Sequence, residues 1–193
     1  EMLNADKRSL LLNLKNIDGP ALIKKIITSY DVLLEGNRPG VMKKLGVSYE
    51  ELATIHPGLI YCSLSGYGAT GPYATRAGHD INYMAIAGAL GLSGVAGQLP
   101  YLPGFQAADA SGALSGALGI LSALYSRDAS RDPTQRGKGQ FVDISLTESA
   151  MVLGLPSLSQ ALSNEQYMPS RGSGALDGGL PNYNIYETND ARY

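Results

Sequence analysis

Hydrophobic and polar positions along the chain switch between a strand-like and a helix-like period. SLLLNLK, residues 9–15, reads as a strand, and behind it Leu22, Ile23, Ile26 and Ile27 recur at helical spacing within GPALIKKIITSY, where Asp18 stands ready to cap the helix. DVLLEG at 31–36 is the next predicted strand. NRPG then turns into VMKKLG, and SYEELATIHP reads as a short helix with Ser48 and Glu51 at capping-box spacing and Pro57 as its stop. GLIYCSLSGYG supplies a further strand. Alternation of strand and helix builds a parallel sheet with helices on both faces, and continuously apolar strands suit burial from both sides. The pattern predicts an α/β fold.

From Gly66 to Gly104 the chain is rich in Gly, Ala, Ser and Pro, which predicts a loop layer lying against a ligand. SGALSGALGILSALYSR is then a small-residue helix. Leu114, Leu118, Leu121 and Tyr125 form one stripe, expected to be buried, while Gly112, Gly116 and Gly119 permit close approach of a neighbouring backbone. A polar connector, RDASRDPTQRGKGQ, leads to the strand FVDISL and a helix near TESAMVLGL. NYNIYETNDARY reads as a strand, an Asn-Asp turn and a returning strand too short to complete a hairpin. With the alternation at the other end starting mid-pattern, the chain is expected to be a piece of a larger protein.

Composition narrows the partners. With 193 residues, 44% hydrophobic and 17% charged, the chain can bury one substantial core. A formal charge of −2 with no block of like charge gives no basis for binding nucleic acid or an anionic membrane, so a small molecule or another subunit is expected. Cys62 lies in an apolar run as the one cysteine, which predicts a buried reduced thiol and a cytoplasmic setting. No apolar run approaches the roughly 18 residues of a membrane span, and EMLNADKRSL lacks a signal-peptide core. Neither a Walker-type phosphate loop nor a GxGxxG occurs, and two histidines with one cysteine make no zinc set. No cofactor is expected. His56 reads as structural.

Six ordered segments carry a family likeness: ADKRSLLLNLK, DVLLEGNRPGVMKKLG, LSGYGATGPYATRAGHDINY, QAADASGA, RGKGQFVDISL and RGSGALDGGLPNY. Together they resemble the family III CoA-transferases (CaiB/BaiF-like), and within them the α-methylacyl-CoA racemases. The resemblance implies a Rossmann-like half-domain over 1–193, part of a large domain that lacks its opening strand–helix unit and the C-terminal half. It implies an interlocked homodimer, an acyl-CoA substrate of lipid metabolism, and CoA as part of that substrate rather than a resident cofactor.

The resemblance also assigns roles. His79 and Asp109 become the paired acid and base that remove a proton from the carbon beside the thioester carbonyl on one face and return one on the other. Imidazole suits this because its unperturbed pKa of about 6.5 keeps both protonation states accessible. Backbone N–H groups at the GHDINY and DASGA turns are expected to hold the enolate oxygen. In the transferase members the aspartate at position 109 instead attacks the thioester, and ASGA after Asp109 is nearer their pattern, whereas GHDINY matches the racemases. For CoA the resemblance points to Leu12, Asn13, Leu14, Lys15, Gly36, Asn37, Arg38, Lys44, Gly78, Asp80, Ile81, Asn82 and Tyr83. Read from the residues alone, His79 is a loop histidine, Asp80 a turn residue serving local N–H groups, Asp109 a helix N-cap with a lowered pKa, and the three cations ordinary surface charge.

Overall fold

The computed structural model describes residues 2–164 and 166–192. Helix α1, Asp18–Ile26, ends in a 3-10 turn and feeds strand β1, Val32–Glu35. The short α2, Val41–Lys44, and α3, Tyr49–Ile55, lead to β2, Ile60–Ser65. Next come α4, Asp80–Ile86, α5, Ala89–Leu92, and the long α6, Ala107–Ala129. The chain then returns through β3, Phe141–Ser145, into α7, Leu146–Leu153, and α8, Leu155–Ser163. Both sheet connections are parallel crossovers, giving the order β1-β2-β3 with Val32 opposite Ile60 and Tyr61 opposite Phe141.

Strand alternation divides the core into two layers. On one face Tyr61 packs against Tyr49 and Phe141, above a cluster of Ile27, Val47, Leu52 and Leu59 supplied by the helical turns and connections around β1 and β2. The capping box expected for α3 is present, with Glu51 accepting the Ser48 N–H at 3.0 Å. On the opposite face α6 lies on β2 and β3. Helices therefore cover both faces, as the apolar pattern of β2 requires, and Cys62 is fully buried in that central strand.

Several expectations need correction. SLLLNLK forms no strand: Leu10 and Leu11 are exposed, and β1 pairs on its β2 side only, so β-propensity at 9–15 finds no ladder among the described residues. Asp18 is the first helical residue, with Ile17 at the cap position. The presumed loop layer contains α4 and α5. NYNIYET is not a strand either; Leu180 and Tyr183 make an isolated bridge, although the Asn189-Asp190 turn closes through Thr188 N–H to Arg192 O at 2.8 Å.

The α6 stripe is the most informative departure. Leu114, Leu118, Leu121 and Tyr125 stay between 64% and 76% exposed. The face that packs is the glycine face. A Cβ at Gly112 would collide with Leu146, one at Gly119 would stand 2.9 Å from Val142, and one at Gly116 would touch Leu64 at 3.4 Å. By length and composition alone α6 could also cross a membrane, with a mean hydropathy of 1.3 over its best window, of which 28% is buried; its glycine face is seated on the sheet and its leucine face is open.

These contacts set up a contrast measurable by urea unfolding of this chain. Gly119→Leu is expected to lower stability by about 1–3 kcal/mol through overpacking against Val142. Leu118→Gln, on the exposed stripe, should stay within about 0.5 kcal/mol of the parent. Equal losses would mean the helix presents a different face to the sheet.

Candidate active site

Strands β1 and β2 end side by side, and ligand crevices in parallel α/β sheets open beyond such carboxyl ends. The loop after β1 contributes Gly36, Asn37, Arg38 and Pro39, and the end of β2 contributes Leu64, Ser65 and Gly66. Across from them stand Arg76, Gly78, His79, Asn82 and Tyr83, enclosing a cleft of about 520 Å³. His79 occupies the N-cap of α4 with extended backbone, and Asn82 Oδ1 accepts its N–H at 2.9 Å. The imidazole is thereby held at a helix entrance and exposed toward solvent. One turn on, the buried Tyr83 donates its hydroxyl to Gly78 O at 2.6 Å and meets Tyr67 edge-on, pinning the segment that carries His79.

Asp109 is the third residue of α6, with Gln106 at the cap, so the capping role expected from sequence is not its own. The connection runs the other way. Asp80 Oδ1 accepts the Asp109 N–H at 2.9 Å, an exchange across 29 residues that ties the entrance of α6 to that of α4. Asp80 thus serves a distant N–H, not only a local turn. The Asp109 carboxyl is left exposed, and its proton affinity is raised: partial burial contributes most, the Asp80 charge adds to it, and His79 opposes it. A capping carboxylate would have shifted downward. Tyr83 is shifted up as well, first by burial and then by Tyr67 and Asp109, with Arg38 opposing.

The other expected ligand positions gather elsewhere. Leu14, Lys15 and Lys44 line a separate concavity of about 720 Å³, joined by Lys24. Leu12 and Asn13 line neither cleft; Asn13 instead turns its side chain to the Lys15 N–H at 3.0 Å and its carbonyl toward Gly19. Ile81 points out from α4, 43% exposed, and lines no part of the first cleft. Among the described residues no cluster of His, Cys, Asp and Glu could hold a metal.

The profile of CoA-transferase family III matches residues 1–193. The chain belongs to that family. It is 42% identical over 196 residues to the human (Homo sapiens) alpha-methylacyl-CoA racemase, spanning 99% of this chain and 48% of that protein. It is 33% identical over 192 residues to a succinyl-CoA–D-citramalate CoA-transferase of Chloroflexus aurantiacus, covering 100% of this chain and 46% of the relative. A CAIB/BAIF family protein from Brucella suis superimposes with a TM-score of 0.77 at 33% identity, over 86% of this chain and 42% of that one. The chain thus spans about half the length of these relatives.

Within this family III chain several cleft residues escaped the sequence reading. Ser65 and Gly66 could have been found from their place at the end of a parallel strand. Arg76, whose guanidinium lies 4.4 Å from the centre of the Tyr73 ring, carries no local signal. The Ser65 hydroxyl is buried without a hydrogen-bond partner among the described residues, and its neighbour across the ladder, Ser145, accepts from the Glu148 N–H.

Linkage gives the site a stability signature. A carboxyl with a raised folded pKa binds its proton more tightly when folded, so its contribution is full at acid pH and is lost as pH rises through the folded value. Asp109→Asn should therefore be more stable than the parent at neutral pH, by less than about 1 kcal/mol given the exposure of the group, and the gap should close in acid. Denaturation across pH checks this; an Asp109→Asn chain less stable at neutral than at acid pH, relative to the parent, would contradict it.

Proposed function

We propose that the complete protein is an α-methylacyl-CoA racemase-like isomerase that interconverts (R)- and (S)-2-methylacyl-CoA, with His79 and Asp109 as its two acid/base groups. The observation that carries this reading is the state of Asp109: its carboxylate is free of any capping bond, raised in proton affinity, and within electrostatic reach of His79. A more basic carboxylate is a better acceptor for a carbon-bound proton. On one face a deprotonated group takes the α-proton; on the other a protonated group returns one, and the enolate between is held by backbone N–H groups at the entrance of α4, since at DASGA the Asp109 N–H is donated to Asp80 and the Ala110 N–H to Gln106 O. The relatives named racemase, at 42% identity, support this choice.

For the CoA portion, the cleft at Arg38, Arg76 and Tyr83 and the lysine concavity at Lys15, Lys24 and Lys44 supply cations for nucleotide phosphates. The acyl-CoA is substrate, and the protein works in the cytoplasm as a homodimer in this reading.

A second reading is CoA transfer. Here the Asp109 carboxylate attacks the thioester carbonyl, expels CoA thiolate and forms a mixed anhydride, which the thiolate converts to an aspartyl-CoA thioester while the acid departs. The ASGA sequence after Asp109 and the relatives named CoA-transferases favour it. A raised basicity serves base and nucleophile alike, so transfer stands second on the identity to relatives named racemase and on the match of GHDINY to their pattern.

Proton NMR of 2-methylacyl-CoA in deuterium oxide with the full-length protein separates the two. The racemase reading expects loss of the α-proton signal, slowed by about 10² to 10⁴-fold in His79→Ala. Exchange undiminished in that variant would remove the two-base mechanism. A hydroxylamine-trapped adduct on Asp109 during turnover, without α-exchange, would establish transfer instead.

A further inference from the structure

We propose that Asp80 is the positioning residue of this site: by accepting the Asp109 N–H it fixes where α6 begins relative to α4, and so sets the Asp109 carboxylate against His79. This rests on the racemase reading above. Two helices from separate parts of the chain start at this point, and Asp80 is the first residue of one while Asp109 is the third of the other. Their 2.9 Å bond joins backbone to side chain, so it constrains the main chain that carries Asp109 rather than a mobile side chain. Immediately behind it Tyr83 and Met84 of α4 pack on Ala107 and Ala108 of α6, with Ala108 fully buried. Packing sets the distance between the helices, and the hydrogen bond sets their register.

An amide at position 80 could accept the same N–H. A carboxylate does something more: it places a negative charge beside a second carboxylate, which disfavours ionisation of Asp109 and keeps it basic, although neither group lines the cleft that His79 lines. Among the described residues, the titratable groups that act on Asp109 are Asp80, the first residue of α4, and His79 at its cap, with the Tyr83 phenol of α4 feeling Asp109 in turn and Arg38 opposing there. Asp80 therefore adds to the raised proton affinity of Asp109 that partial burial begins, and His79 opposes it.

The test combines pH profiles of α-proton exchange with carbon-13 titration of aspartate-labelled protein, both on the full-length chain. In wild type, the Asp109 carboxyl carbon should titrate above the ordinary carboxylate range. Asp80→Asn should move the acidic limb of the exchange profile and the Asp109 titration to lower pH together, with less than about tenfold loss of plateau rate because the weaker base accepts its proton more slowly. Asp80→Ala, which also loses the acceptor, should lower kcat by about tenfold or more with KM little changed, as expected when a catalytic group is displaced. Asp109 titrating in the ordinary range in wild type, or an Asp80→Asn profile superimposable on wild type, overturns the proposal. Should wild type show no α-exchange at all, the racemase reading fails, and the carbon-13 titration still decides whether Asp80 governs Asp109.

Discussion

The site depends on α6 reaching the sheet through a face of glycines. Side chains at Gly112, Gly116 and Gly119 would hold the helix away from Leu146, Leu64 and Val142, and with it the first turn that carries Asp109. Close approach fixes the helix axis; the Asp80 bond to the Asp109 N–H then fixes its start. From these two constraints follow the meeting of GHDINY with QAADASGA, the exposure of the Asp109 carboxyl, and the electrostatic contact with His79. Residues that are 30 apart in sequence become one chemical unit through backbone packing, with no direct hydrogen bond between their side chains.

His79 sits where a parallel sheet makes room for it, while Asp109 lies outside the lining of that cleft. The carboxyl ends of β1 and β2 open into the cleft, and the loop after β1 turns Arg38 toward it. Tyr83 supports the opposite wall from below by filling the space over Gly66 and bonding Gly78 O. Far from the cleft, Arg127 secures the other end of α6, bonding Asp31 at 2.9 Å and Gly58 O at 3.1 Å, so the helix is anchored at both ends while its leucine stripe remains uncovered.

Much of this was legible in sequence wherever a signal was local. The capping box of Ser48 and Glu51, the apolar run of β2 and the parallel alternation all report short-range chemistry, and each is found. The strand at SLLLNLK failed because a strand exists only if another pairs with it, which composition cannot reveal. Helix α4 was missed because His79 and Asn82 form a capping box at the usual spacing but with residues that seldom fill it, in place of Ser or Thr and Glu or Gln. For α6, the glycines and the leucines both suggest a contact face, and only the neighbours decide between them. The Asp109 cap was misassigned for a related reason: an aspartate near a helix start looks like a cap, but the helix begins at Ala107 and the acceptor comes from Asp80.

The most direct measurement is a crystal structure of the full-length protein bound to a non-reactive thioether analogue of 2-methylacyl-CoA. The account expects the imidazole of His79 and the carboxylate of Asp109 on opposite sides of the α-carbon, each about 3–3.5 Å from it. Both groups on one side, or Asp109 lying against the carbonyl carbon with His79 out of reach, would contradict it.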